Sequence, residues 1–359
     1  MKVFVLTMSR RGLCHVAAQL VDSLAVHCDA TLIAPNGTAD YVERGRAIEI
    51  DLPFRRWNPL YAFGLLKIIL LVRKYKPDIV HIQDLHPLFY ITSLFFGKAR
   101  VVLTLHDINE HPGEELWYAS ITRKMMFKRC SAIVIHGRSL RDLFVSRYPD
   151  IENKLYVLYH PVNRVFDKWR SDGVQEEKQI LFFGRIVKYK GLDILLKSVP
   201  MLRKALPDYK VIVAGSGDIS EYTDLLKECG DYVVVDNRQI PDDVVARYYQ
   251  KAEIIAMPYI EASQSGILAT AYAFQKPVVV TKVGSLPEVV DDGKTGLLIE
   301  PNDPVALAEA IIKLASNKEL REKMKIAVRH KVEKDLSWEA AAQRLFGMYQ
   351  AIIEGNFPR

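Results

Sequence analysis

The segment PYIEASQSG, residues 258–266, sets a carboxylate, a glycine and the start of an apolar helix close together. Glu261 sits in the polar turn EASQS, where a carboxylate can accept two hydroxyl hydrogen bonds at once, each about twice as strong as a neutral one. Gly266 opens the run ILATAYAF, and the free backbone N–H groups at such a helix start favour an anionic ligand. An acid near a helix N-terminus is also favoured by the helix dipole alone, so the neighbouring strings must decide between the two readings.

The second string is GRIVKYKG, residues 184–191, directly after the strand ILFF. Arg185 offers a planar fork for phosphate oxygens and Lys190 a mobile point charge, so together they suit a diphosphate whose charge grows as it leaves. A solvated basic loop is the plain alternative. AGSGD (214–218) is a glycine turn after VIV, but it is not G-x-G-x-x-G. Asp236, about twenty residues further on, therefore lacks the first half of a dinucleotide fingerprint, and a nicotinamide cofactor is not indicated.

In the first half, HDINEHPGE places His106 and Asp107 at the C-terminal end of the strand VVLTL, where open α/β sheets bind ligands. His106 could orient a reacting hydroxyl there, or be a satisfied polar group and nothing more. SRRGLCH (9–15) follows the first strand, and Gly12 gives its backbone room near a helix start. Residues 52–76 join Arg55, Arg56, Trp57, Tyr61 and Phe63 to an apolar helix with a basic end, and RKMMFKRC (123–130) is a second basic and apolar string. Both suit interfacial docking on an anionic membrane, and both also suit core helices with solvated ends.

These residues need elements to hold them. Short apolar runs alternate with helical stretches almost from end to end, the α/β signature. The strands KVFVL, DIVHIQ, ARVVLTL and SAIVIHG read as a buried parallel sheet, and ILFF, VIVAGSG, YVVVDN, AEIIAMP, PVVVTK and GLLIEP repeat the pattern. The polar stretch NRVFDKWRSDGVQEEKQ (163–179) separates the two halves. Two doubly wound, Rossmann-like domains are predicted, 1–165 and 170–338, facing across a cleft, with a helical tail at about 339–359.

The chain has 359 residues, 49% of them hydrophobic, enough for two cores. Its net charge of +6 is uneven: residues 1–164 hold 22 Lys+Arg against 15 Asp+Glu, the remainder 27 against 28. The four cysteines and nine histidines lack metal-ligand or disulfide spacing, so no metal is implied. No recognition helix or stacking-aromatic motif accompanies the charge, which argues against nucleic acid. MKVFVLTM reads as a first strand, no long apolar run occurs, and a cytoplasmic protein is expected.

Taken in order, the strand-loop-helix start at 1–26, HD at 106–107, GRIVKYKG, VIVAGSGD, the Pro258–Glu261 stretch, KPVVVTKVGSLPEVV and DGKTGLL resemble the retaining glycosyltransferases of family 4, with the GT-B fold, over nearly the whole chain. The resemblance implies a hexosyltransferase of polysaccharide biosynthesis, cytoplasmic or peripheral on the inner face of the plasma membrane, using a UDP-sugar or GDP-sugar and no other cofactor. It implies catalytic roles for His106, Arg185, Lys190 and Glu261. Donor contacts are implied at Gly12, Gly184, Gly215, Asn237, Arg238, Ser265, Gly266 and Ile267. It also implies a C-terminal helix that crosses back to the first domain, and a glycan or lipid-linked acceptor, with an anionic membrane as a candidate partner through 52–76 and 123–130. One departure stands out. The family's second glutamate, which holds the nucleotide ribose, is absent, and Thr270 occupies its place beside Ala269. Thr270 is expected to offer ribose one hydroxyl bond; the alternative is a weak or inactive homologue that binds a nucleotide sugar without transferring it.

Overall fold

The computed structural model describes residues 1–10, 12–52, 61–85, 87–106 and 117–356. The chain forms two units, Met1–Tyr159 with Ser337–Arg359, and His160–Leu336.

The first unit begins β1 (Lys2–Leu6), α1 (Leu13–Leu24), β2 (Asp29–Pro35), β3 (Arg46–Ile50), α2 (Tyr61–Tyr75) and β4 (Ile79–Ile82). It continues α3 (Pro87–Ser93), β5 (Arg100–Leu105), α4 (Trp117–Arg129), β6 (Ala132–Ile135), α5 (Arg138–Arg147) and β7 (Leu155–Val157). The strands form one parallel sheet in the order β3-β2-β1-β4-β5-β6-β7. Alternate residues of a strand face opposite sides, and both sides are covered here. Phe4 and Leu6 pack with Leu65 and Ile68 of α2, whereas Val3 and Val5 pack with α1 and the C-terminal helix.

The second unit runs β8 (Glu177–Phe183), α6 (Leu192–Ala205), β9 (Lys210–Ala214), α7 (Thr223–Cys229), β10 (Val233–Asp236), α8 (Asp242–Lys251) and β11 (Ala252–Met257). After these come α9 (Gly266–Ala273), β12 (Val278–Thr281), α10 (Leu286–Val289), β13 (Gly296–Ile299), α11 (Pro304–Ala315) and α12 (Lys318–Asp335). Its parallel sheet has the order β10-β9-β8-β11-β12-β13. The last helix, α13 (Trp338–Glu354), belongs to the first unit. Trp338, Ala342, Leu345, Met348, Tyr349 and Ile352 lie on one helical stripe, and all are buried there. Each sheet reverses strand order once, between β1 and β4 and between β8 and β11. Crevices beyond the strand ends at such reversals are the usual ligand positions of doubly wound sheets.

Candidate active site

In the second unit the reversal lies between the β8 and β11 loops, which carry the cations and the carboxylate. The β8 loop turns at Gly184, φ 104°, and Gly215, φ 146°, lies so close that a Cβ there would sit 2.0 Å from the Gly184 carbonyl oxygen. Glycine is needed at both, for backbone angle and for space. Asn237 fastens the neighbouring turn: Gly217 N–H donates to its Oδ1 and its Nδ2 donates to the Gly217 carbonyl, both at 3.1 Å. Its amide is thus committed to the loop. Arg238 Nε donates to the Asp236 carboxylate at 2.8 Å, and the Tyr248 hydroxyl donates to the same group at 2.5 Å. The Arg238 bond, followed by the Tyr248 bond, holds the Asp236 carboxyl below its ordinary range.

Tyr189 ties the cations to the carboxylate. Its carbonyl accepts from the N–H of Ile260 at 2.7 Å and of Glu261 at 3.4 Å, and Arg185 Nη2 donates to its hydroxyl at 3.4 Å. Nothing in the string GRIVKYKG singles out Tyr189 for this role. Lys190 is buried, with Nζ 5.5 Å from the centre of the Tyr259 ring and 2.8 Å from where a Gly184 Cβ would stand. Burial, then the Arg185 charge, pushes its ammonium down to about 8. Ile267 closes the same corner, its Cδ1 3.1 Å from that Gly184 position.

The Glu261 loop is braced from below. Thr281 Oγ1 donates to the Tyr259 carbonyl at 2.6 Å, and the N–H and hydroxyl of Ser285 donate to the Ser263 carbonyl at 3.1 and 2.8 Å. Ser265 caps α9 by accepting from Leu268 N–H at 3.3 Å, a cap worth about 1 kcal/mol. A Cβ on Gly266 would meet nothing within 4 Å, so the helix start is open on that side.

Thr270 requires a correction. It is 3% exposed, its hydroxyl donates to the Gly266 carbonyl at 2.9 Å, and Asn163 Nδ2 donates to it at 3.4 Å. The hydroxyl expected to meet ribose is therefore spent inside α9, as helix threonines often are. Asn163, whose N–H also donates to the Ala269 carbonyl at 3.2 Å, was not foreseen. A cavity of about 560 Å³ adjoins Arg185 on the β9 side, lined also by Val187, Ser216, Gly217, Asp218, Glu221 and Tyr222. It reaches neither Lys190 nor Glu261. Its volume suits a small ligand group, and its wall carries two cations, Arg185 and Lys188, beside the two acids Asp218 and Glu221.

In the first unit, Gly12 has φ 63° and stands at the N-terminus of α1. The preceding loop is tied across the sheet reversal by Asp84, which accepts from Met8 N–H at 2.9 Å. His106 follows β5 and is 7% exposed, its ring 5.0 Å from that of His136 after β6. His136 Nδ1 donates to the Leu158 carbonyl at 2.8 Å, and His106 Nε2 lies 3.4 Å from the side-chain amide of Gln83. Sequence reading had treated HIQ and VIHG as strand ends only, so it missed Gln83 and His136. Asp107, Arg55, Arg56 and Trp57 lie outside the described residues.

Residues 11–165 match the family model described as Glycosyltransferase Family 4, and residues 177–317 match Glycosyl transferases group 1. An uncharacterized glycosyltransferase of Methanocaldococcus jannaschii is 28% identical over 64% of this chain and 62% of its own length. D-inositol 3-phosphate glycosyltransferase of Corynebacterium efficiens is 33% identical over 56% of this chain and 51% of its own. The chain thus spans about half to three fifths of these relatives. Sucrose-phosphate synthase of Thermosynechococcus elongatus shares the fold at TM-score 0.74, with 17% identity over 99% of this chain and 100% of that one. Anabaena HepE, solved with UDP-glucose, does so at TM-score 0.75, with 15% identity over 98% and 99%. With both halves matched in order and two parallel sheets of this topology, the chain belongs to the family 4, group 1 glycosyltransferases.

Proposed function

We propose that the protein moves a hexose from a UDP-sugar or GDP-sugar to a hydroxyl of a lipid-linked or polysaccharide acceptor, with retention of configuration and without metal. The observation that carries this reading is the Tyr189 carbonyl, which holds the Glu261 backbone against the turn bearing Arg185 and Lys190. A carboxylate for sugar hydroxyls and two cations for a departing diphosphate are thereby held by one piece of backbone. Each well-placed donor contributes roughly 3–4 kcal/mol to such charge development. Glu261 positions the sugar rather than attacking it, and a phosphate oxygen of the leaving group takes the proton of the incoming hydroxyl. His106 is assigned to the reacting hydroxyls. The proposed location is cytoplasmic, at the inner face of the plasma membrane; among the described residues no helix is long and apolar enough to cross one.

The test is donor loss and nucleoside diphosphate release from a panel of UDP-, GDP- and ADP-sugars, with EDTA present and with or without membrane lipid extract. Release from one donor, raised by lipid, is expected, and Arg185→Ala should lower it at least a hundredfold, the scale of one lost electrostatic donor. Turnover within a few fold of wild type in that variant would sink the assignment. Thr270 favours a second reading: with its hydroxyl inside α9 and no acid in its place, ribose recognition lacks the family's carboxylate. Donor binding with no release from any donor would favour a binding-only homologue.

A further inference from the structure

The loop that carries Glu261 is fastened through its backbone and the Ser265 hydroxyl. Ile260 and Glu261 give their N–H groups to the Tyr189 carbonyl, the Ser263 carbonyl accepts from Ser285, and Ser265 caps α9. Gln264 takes no part in this. Its Oε1 is shut away from solvent without a hydrogen-bond partner, and among the described residues its Nε2 has none either. The other orphaned buried atoms described in the second unit have a local account. The Tyr249 hydroxyl lies beside that of Thr270, and Arg321 Nε belongs to a guanidinium whose Nη1 donates to the Leu314 and Ala315 carbonyls. No such contact accounts for Gln264.

A buried amide oxygen that pairs with nothing is a defect proteins seldom carry. A half-turn of the amide does not remove it, because the buried atom is then an N–H donor without an acceptor. The side chain does not hold the loop, so folding does not explain it. Nothing holds the side chain either. It is half-buried, it breaks no hydrogen bond when it turns outward, and Gly266, two residues on, is open on its Cβ side. Turned outward, the amide presents one acceptor and two donors, and so matches a partner that offers both, as two adjacent sugar hydroxyls do. Glu261, three residues earlier, is acceptor-only when ionised, whereas Arg185 and Lys190 are donor-only and match the diphosphate.

We propose that Gln264 reads the transferred hexose: in the donor complex its amide turns outward and binds two adjacent sugar hydroxyls, one as acceptor and one as donor, beside those taken by Glu261. It selects among hexoses by configuration at those carbons, because an epimer directs one hydroxyl away and leaves half of the amide unpaired. The identity of the ligand rests on the function proposed above; the spare amide of the ligand-free chain does not.

Gln264→Met keeps the length of the side chain but neither donates nor accepts in the same way, and the full chain is read in three measurements. The denaturant midpoint without ligand should equal or exceed that of wild type, since an unpaired amide is replaced by an apolar group. Affinity for UDP and GDP, by calorimetry, should stay within about twofold, because the bare diphosphates lack the hexose. Across UDP- and GDP-hexoses that differ at one carbon, kcat/KM for the preferred sugar should fall about tenfold or more, and its advantage over the epimers should shrink to a few fold. A clear fall in the ligand-free midpoint would show the amide to be paired within the fold, and lost diphosphate affinity would assign it to the phosphates. Either result overturns the proposal, as does an unchanged preference among hexoses. If wild type turns over no donor, the transferase reading fails by itself, and the preference is read as binding of the same nucleotide hexoses. Discrimination present in wild type and lost in Gln264→Met keeps the sugar contact, and its absence from wild type removes it.

Discussion

At Lys190 burial and chemistry pull in opposite directions. The proposed diphosphate contact needs its charge, yet burial and the Arg185 guanidinium bring the ammonium down to about 8 from 10.5. The charged form is therefore full below pH 8 and is lost above it in the free protein, while a bound diphosphate pulls the proton back. The donor KM is expected to rise between pH 7 and 9 with kcat at saturation changing less, and Lys190→Met should raise KM and flatten that dependence; a pH series of initial rates checks both. The folding linkage has its own sign. Between about pH 8 and 10.5 an unfolded lysine holds a proton that the folded one has released, so the ligand-free protein should gain stability from this group as pH rises through that window. Denaturant midpoints of wild type against Lys190→Met would show it. Arg185, Lys190 and Glu261 could be singled out from sequence because their types suggest a chemistry and their strings place them on the β8 and β11 loops. Thr270 was not, because whether a threonine hydroxyl faces a ligand or the carbonyl four residues back depends on a rotamer that spacing does not reveal.

At the level of elements, the Glu261 loop owes its shape to a turn some twenty residues later in the chain. Gly284, φ 53°, sits under it so closely that a Cβ would lie 1.9 Å from the Ala262 carbonyl oxygen, a backbone atom that cannot step aside. Gly284→Ala is expected to displace the carboxylate and cut kcat at least tenfold, since small misplacements of positioned groups are costly. β12 should still fold, because Val278, Val279 and Val280 remain buried; circular dichroism beside kinetics separates the two. Unfolding at 25 °C would show the turn to be structural first. Most elements could be read in advance: AEIIAMP became β11 at Ala252–Met257, and the helix start expected near Gly12 opens α1 at Leu13. Apolar runs flanked by glycine and proline leave little choice. Tyr189, Gln83, His136 and Asn163 were missed because their roles come from contacts with other strands and loops. A carbonyl that accepts two N–H groups from another loop leaves no trace in local pattern.

For the molecule as a whole, the first unit combines its excess of positive charge with an apolar surface that its own fold leaves uncovered. Phe63 and Leu70 of α2 are 67% and 59% exposed, Ile91 of α3 and Leu94 just after it 53% each, and Ile121 of α4 52%. α3 packs against both α2 and α4, so these side chains belong to neighbouring helices, and Lys67, Lys74, Lys124 and Lys128 are exposed among them. Apolar side chains rimmed by lysines match an anionic bilayer surface, where each cation adds about 1 kcal/mol and each buried apolar group adds its transfer energy. Isolated exposed leucines need no explanation, but a run of them across adjoining helices does. The protein is expected to float with vesicles containing anionic lipid at low salt and to be released as salt screens the lysines over distances of about 10 Å. Phe63→Ser combined with Leu70→Ser should lower the bound fraction several-fold while donor hydrolysis in solution stays as in wild type, since both side chains point into solvent and neither belongs to the assigned site. Equal flotation of the variant would place the contact elsewhere. A dimer that forms without lipid and is lost in the variant would show instead that a second copy of the chain covers this face.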